Sequence, residues 1–259
     1  MAPKHMNLTR PTPTVWQISL NSPPDNRLHP DLLAELGSFL DIVEAEWREQ
    51  GDKYKGAGAL VLTSDIPKFF SNGLHPSSLG DRGGFFENVY DPITYRLITF
   101  PLITIAAVNG HAFAGGMVLS LCCDFRVMTG NRGMMSMNEI FLGVPLPNSF
   151  NTLLKQRMSY PALRDTLLGK RWKQSELLAA GIIDEIVDDS KDPKAVVKRA
   201  IELGTEEGPK VAKGAWGGIK EGVYHDYIDS SRSHRQLWLP DQKEKAFWDR
   251  LDRNNKAKL

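Results

Sequence analysis

The stretch Ile103–Gly116, ITIAAVNGHAFAGG, with MVLSLCCDFRVM directly after it, is where the fold of this chain is decided. The apolar run Ile103–Val108 reads as a fully buried strand. It breaks at Asn109-Gly110, loops through His111–Ala114 and reaches Gly115-Gly116 before a second apolar run. A strand that feeds a glycine-rich turn at a helix N-terminus leaves unpaired main-chain N–H groups pointing one way. Such a place accepts negative charge, either a bound anion or an oxygen that becomes anionic during a reaction. Glycine suits it because a Cβ would keep the ligand oxygen from reaching the backbone.

The dinucleotide fingerprint G-x-G-x-x-G is absent, since the glycines fall at Gly110, Gly115 and Gly116. Gly110-x4-Gly115 has the spacing of a phosphate loop, but Gly116-Met117 stands where a lysine and a hydroxyl residue are needed. A buried oxyanion hole fits the stretch better. A tight turn with close helix–strand packing would use the same glycines, so spacing alone leaves both readings open.

With 259 residues, 41% hydrophobic and 24% charged, the chain has the composition of a globular protein with ample material for a core. A formal net charge of +1 gives no electrostatic reason to expect nucleic acid as a partner. No apolar run approaches the length of a membrane span. Cys122 and Cys123 are adjacent within an apolar run; they suit neither a disulfide nor a zinc site and read as buried, reduced packing residues of a non-secreted protein. No metal site is expected. Met1–Thr14 is basic, but Pro3, Pro11 and Pro13 argue against an amphipathic transit helix.

Taken in order, Val15–Leu20 reads as a strand, and Leu32, Leu33, Leu36, Phe39, Leu40, Val43 and Trp47 repeat as one face of a helix from Pro30. Ala59–Thr63 is a buried strand, and Lys68–Gly73 makes a second strand-to-turn corner. Leu79–Gly84 is expected to be a mobile loop and Glu87–Phe100 a helix stopped by Pro101. Strands follow at Phe125–Met128, Met134–Met137 and Ile182–Val187, with helices near Ser149–Met158 and over Ser175–Ala180. Asp192-Pro193 caps a helix with Val196, Val197, Ala200, Ile201 and Leu203 inward. The rest is polar and helical, with Trp238, Phe247 and Trp248 as apolar anchors. The order describes an α/β core over residues 1–190 and a helical C-terminal region over 191–259, which would serve oligomerisation and cover the site.

Several segments together resemble the enoyl-CoA hydratase/isomerase (crotonase) superfamily. Lys68-Phe69-Phe70-Ser71-Asn72-Gly73 resembles its F-(S/A)-(A/S)-G corner, and Ala107–Gly116 followed by Cys123-Asp124-Phe125-Arg126 resembles its central glycine-rich signature. Asn138-Glu139-Ile140-Phe141-Leu142-Gly143 and Ser175–Val187 resemble two further segments, in collinear order over residues 14 to 190. The resemblance implies a crotonase-like spiral of ββα units, homotrimers or dimers of trimers, and an acyl-CoA thioester as substrate, with coenzyme A part of the substrate and no separate cofactor. It implies oxyanion-hole N–H groups at Asn72 and Gly115, and substrate contacts from Phe70, Ser71, Gly73, Leu74, Gly116, Val118 and Leu142. His75 stands where many members carry aspartate.

The carboxylates select the reaction. Hydratases of this family use two glutamates; the position of the first is Val118 here, while the second maps onto Glu139. Valine neither takes nor gives a proton, so water activation lacks one carboxylate. Moving a double bond needs one base that takes a proton from C2 and returns it to C4, preferably a carboxyl whose pKa is raised by apolar surroundings. Met134, Met135, Met137, Ile140, Phe141 and Leu142 are expected to supply those surroundings for Glu139. The wording is most similar to that of Δ3,Δ2-enoyl-CoA isomerases of fatty-acid β-oxidation, with another acyl-CoA enzyme of the family or a non-catalytic scaffold as alternatives.

Ser71, His111 and Asp124 are the residue types of a hydrolase triad, but no G-x-S-x-G elbow accompanies them. The tail with Lys243, Lys245, Arg250, Arg253, Lys256 and Lys258 reads as a solvated helical face, and Lys68 is the better candidate for a coenzyme A phosphate. Ala257-Lys258-Leu259 resembles a Ser-Lys-Leu peroxisomal address. With β-oxidation chemistry in view it implies a peroxisomal location and an import receptor as partner.

Overall fold

Among the residues that the computed structural model describes, 4–80, 84–235 and 237–256, nine strands divide between two sheets. The larger runs β1 (Met6–Thr12), β2 (Val15–Leu20), β3 (Ala59–Ser64), β5 (Ile103–Val108), β7 (Phe125–Thr129) and β9 (Glu185–Val187), in that order. The smaller is β4 (Phe69–Ser71), β6 (His111–Phe113) and β8 (Met135–Ser136). Apart from the antiparallel β1–β2 pair, every pairing is parallel. Successive strands therefore alternate between the sheets, β3, β5 and β7 in one and β4, β6 and β8 in the other. This repeated strand–corner–strand–helix unit is the crotonase spiral that the motifs implied.

The helices are α1 (Pro30–Glu49), α2 (Pro76–Gly80), α3 (Asp91–Ile98), α4 (Gly115–Leu121), α5 (Asn148–Arg157), α6 (Tyr160–Leu167), α7 (Gln174–Ala179), α8 (Ala195–Glu207), α9 (Trp216–Val223), α10 (His225–Arg232) and α11 (Pro240–Lys256). The central strands β3 and β5 are buried along their whole length, as parallel strands covered on both faces must be. α1 buries the face that its apolar spacing announced, and His29 caps it by accepting from the Leu32 N–H at 3.3 Å. Cys122 and Cys123 are buried free thiols, and burial pushes both well above the usual thiol range.

Several elements differ from the sequence expectation. β1 forms despite Pro11, because an edge strand can turn a missing N–H outward. The helix expected over 87–100 begins as a π turn, Phe86–Tyr90, and continues as α3. Of the loop expected at 79–84, residues 79 and 80 instead end α2, and 81–83 lie outside the described residues. Ile182 and Ile183 are buried but off the ladder, where the Ile182 carbonyl accepts from Arg126 Nε at 2.7 Å instead. α8 seats Val196, Ala200, Leu203 and Gly204 against β3 and β5, so the C-terminal region is continuous with the core and residue 190 marks no packing boundary. Trp238, Phe247 and Trp248 are 42%, 43% and 54% exposed, not anchored. Within α11 the Phe247 and Trp248 rings meet edge to face, and Trp248 Nε1 donates to Glu244.

One buried ion pair ties the C-terminal region to the sheet. The Asp124 carboxylate accepts from the Thr104 N–H at 2.9 Å, from Trp216 Nε1 at 3.1 Å and from Lys220 Nζ at 3.1 Å. Lys220 is 1% exposed, and its burial lowers the ammonium pKa while Asp124 opposes that shift. Removing one partner of such a pair leaves the other charge uncompensated. Asp124→Ala is expected to lower the free energy of unfolding by about 3–5 kcal/mol in urea titrations; a loss under about 1 kcal/mol would show that the pair is dispensable.

Candidate active site

Two corners build the site, and each depends on atoms coming closer than ordinary side chains allow. A Cβ on Gly116 would lie 2.5 Å from the Ser71 carbonyl oxygen, so α4 begins directly against β4. Gly73 turns the other corner at φ +85°. Ala114, at φ 50° and ψ −126°, holds a conformation that costs a non-glycine residue free energy. The Tyr90 hydroxyl donates to the Gly115 carbonyl at 2.8 Å and fixes the start of α4.

The direction of the main-chain N–H groups follows from this geometry. Leu28 and Leu74 form an isolated parallel bridge, in which the Leu28 N–H donates to the Gly73 carbonyl at 2.8 Å and the His75 N–H to the Leu28 carbonyl at 2.9 Å. The Leu74 N–H consequently points away from Leu28. Among the described residues neither it nor the Gly115 N–H meets an acceptor. The Asn72 N–H, expected as an oxyanion donor, instead donates to the Asp25 carbonyl at 2.9 Å, and its side chain donates to Asp25 Oδ2 at 2.6 Å. That expectation is corrected: Asn72 is occupied, and the N–H two residues on is the one left open.

Glu139 opens the short turn Glu139–Leu142 that follows β8. The residue is half-buried, yet its Oε2 is shut from solvent without a hydrogen-bond partner. Loss of solvation pushes its carboxyl up from 4.5 to about 7, while the main-chain N–H groups of Glu139 and Asn138 pull the other way. Ile140, Phe141 and Leu142 do not enclose it as expected; they are 47%, 72% and 64% exposed. The apolar surroundings come from a cavity of about 770 Å³, where Leu74, Phe86, Ala114 and Phe150 share the walls with Glu139.

Of the expected contact residues, Asn72, Leu74 and Leu142 line this cavity. Phe70, Ser71, Gly73, Gly115 and Gly116 are not among its lining residues, although Ala114, next to Gly115, is; Ser71 Oγ donates to the Asn26 carbonyl at 2.8 Å. Val118 is fully buried in the core and outside the lining, because α4 turns that position inward. Lys68 is also outside it, its ammonium 5.4 Å from the Phe69 ring centre. The cations that do line the cavity are Arg27 and Arg235, which no local sequence pattern marks. Arg27 arrives through the Leu28–Leu74 bridge, donating to the Leu74 carbonyl at 3.2 Å.

The triad reading fails on geometry, since Asp124 is engaged by Lys220 and His111 Nδ1 accepts from the Met134 N–H. His75 is exposed and hydrogen-bonds Ser77. Among the described residues His5, His29 and Asp31 bring donor atoms within 4.8 Å of one another, away from the cavity.

A carboxyl with one oxygen shut from solvent thus shares the wall of a largely apolar cavity with Leu74 and Ala114, which stand at the two tight corners of a spiral α/β fold. The chain belongs to the enoyl-CoA hydratase/isomerase family, whose model matches residues 11–215. It is 31% identical over 215 residues to the peroxisomal enoyl-CoA delta isomerase 2 of Arabidopsis thaliana, covering 79% of this chain and 84% of that protein. It is 31% identical to the mitochondrial enoyl-CoA delta isomerase 1 of Mus musculus, over 67% of this chain and 60% of that one. Among solved structures, the apo enoyl-CoA isomerase of Mycobacterium tuberculosis superposes with a TM-score of 0.75 at 27% identity, covering 88% of this chain and 94% of the other.

The raised Glu139 pKa also bears on stability. The unfolded chain releases this proton near 4.5 and the folded protein near 7, so folding loses stability as pH rises between those values and nothing further above them. Glu139→Gln removes the effect. Its melting temperature relative to the parent protein is expected to climb from pH 4.5 to about 7 and then level off; a difference that stays flat with pH would mean the carboxyl is solvated.

Proposed function

We propose that this protein is a Δ3,Δ2-enoyl-CoA isomerase that moves the double bond of a 3-enoyl-CoA to give trans-2-enoyl-CoA in fatty-acid β-oxidation. The observation that carries the reading is Glu139, a carboxyl with one oxygen shut from water and an ionisation near neutrality. In this scheme the Glu139 carboxylate takes a proton from C2, and the electrons of that C–H bond pass to the thioester oxygen. The N–H groups of Leu74 and Gly115 stabilise the dienolate, each donor contributing about 3 kcal/mol. Glu139 then returns the proton to C4, and the remaining double bond lies between C2 and C3. No second carboxylate is required, which agrees with the aliphatic Val118 in the core.

Glu139 must be ionised to act, so kcat/KM for a 3-enoyl-CoA is expected to rise with pH through about 7. Glu139→Gln should lower turnover by about 10²–10⁴-fold while acyl-CoA binding persists. Conjugation of the product, followed by ultraviolet absorbance, reports the reaction; retained turnover in that variant would exclude the base. Absorbance that decays with a 2-enoyl-CoA would instead favour water addition.

A homotrimer or dimer of trimers and a peroxisomal location belong to the same proposal. The location is supported by the name of the Arabidopsis relative, although the mouse relative is named mitochondrial. Ala257-Lys258-Leu259 lies outside the described residues. A fluorescent reporter carrying that tripeptide is expected to enter peroxisomes, and a diffuse cytosolic signal counts against it.

A further inference from the structure

Asp91 is a second carboxyl with buried, unpartnered oxygen, and in it both oxygens are affected rather than Oε2 alone as in Glu139. Asp91, the first residue of α3, is 1% exposed, and neither carboxyl oxygen has a hydrogen-bond partner. Ser149 Oγ lies beside it, likewise buried and without a partner of good geometry. The nearest basic group, His234 Nδ1, is 3.8 Å from Asp91 Oδ2, beyond hydrogen-bond reach. Buried polar atoms are ordinarily satisfied, as the buried Asp189 is: it accepts from Thr129 Oγ1 and Asn131 Nδ2, both at 2.8 Å.

Asp91 forms part of the wall of a polar cavity of about 500 Å³ with Glu87, Tyr95, Ser231, Arg232 and His234. Glu87 and His234 line this cavity and the larger one alike, so the two adjoin there. Phe86 and Phe150, in the wall of the larger cavity, pack on the Tyr90 ring with centres 6.0 Å and 5.2 Å away, and Asp91 follows Tyr90 in the chain.

We propose that the Asp91 cavity is a recognition subsite for a hydroxyl group carried on the acyl chain beyond the reacting carbons. A methyl-terminated chain entering it would offer Asp91 and Ser149 no hydrogen bond and leave both buried groups unsatisfied. The wall carries Glu87 and Asp91 as well as Arg232 and His234, so it favours neither sign of charged terminus. A hydroxyl both donates and accepts, so it satisfies Asp91 whether the carboxyl is ionised or protonated. Both forms are available near neutrality, since loss of solvation pushes Asp91 up to about 7. Ser149 offers a second polar contact to the same group.

The inference rests on the acyl-thioester reading of the larger cavity, but its test requires no turnover. Affinities of two saturated acyl-CoA series of increasing length, one ending in methyl and one in hydroxyl, are measured by isothermal titration calorimetry. At the lengths that reach Asp91 the hydroxyl series is expected to bind about tenfold more tightly than the methyl series. Asp91→Leu should abolish or invert that ratio and Asp91→Asn should keep part of it. Because each ratio is taken within one variant, a loss of folded protein does not move it. Equal affinities at every length, or a preference that survives Asp91→Leu, overturn the subsite while leaving the isomerase reading intact. Failure of both series to bind overturns both.

Discussion

Gly116 sits so close to β4 that any side chain would strike the Ser71 carbonyl, and this contact sets the geometry of everything around the cavity. It brings the first turn of α4 against a corner from a different part of the chain, with Tyr90 holding the Gly115 carbonyl from the other side. The N–H groups of Leu74 and Gly115 are thereby presented from two separate segments, each rigid for its own reason. Preorganisation of this kind is what makes a main-chain donor effective, because no reorientation is needed as charge develops. The strained backbone at Ala114 is consistent with that demand, since the fold holds a costly conformation at the point where the chain enters α4.

The carboxyls follow a matching logic. Buried charge in this protein is neutralised where it is structural: Asp124 by Lys220, and Asp189 through its hydrogen bonds. Glu139 and Asp91 break the rule, both displaced to about 7 by loss of solvation and both lining cavities. An unpartnered carboxyl weakens the folded state and is tolerated where it has work to do on something outside the chain. Burial pushes the Tyr90 hydroxyl up, and both carboxyls add to that shift.

Much of the fold was legible in local pattern. Buried parallel strands announce themselves as apolar runs, and β3 and β5 fall where Ala59–Thr63 and Ile103–Val108 were read. The glycine corners were legible too, because close approach demands a residue without a Cβ. What could not be read was direction. Asn72 and Leu74 are two residues apart, so in a uniformly extended segment their N–H groups would share a side. The turn at Gly73, with φ +85°, breaks that parity, so that Asn72 donates to the Asp25 carbonyl while the Leu74 N–H faces away from the segment it bridges. That segment is Leu28, 46 residues away and joined by tertiary structure alone. Arg27, His234 and Asp91 escaped notice for the same reason: each reaches its cavity through long-range packing and carries no mark in its neighbours.

Val118 separates the two reactions that the family name joins. A carboxylate at that position would have to lie one turn into α4, where Val118 is wholly enclosed by core and its N–H is committed to the Ala114 carbonyl at 3.2 Å. An unpaired charge there would meet apolar neighbours rather than water or substrate, so the surrounding packing, and not the identity of one side chain alone, disfavours a second glutamate. Glu139 is differently placed, half-buried on a short turn where it reaches the cavity without belonging to the core. A site with one proton-handling group can carry a proton from one carbon to another, but orienting and deprotonating water while protonating carbon asks for two. On the proposed scheme the packing of α4 thus favours bond migration, through what it leaves no room for.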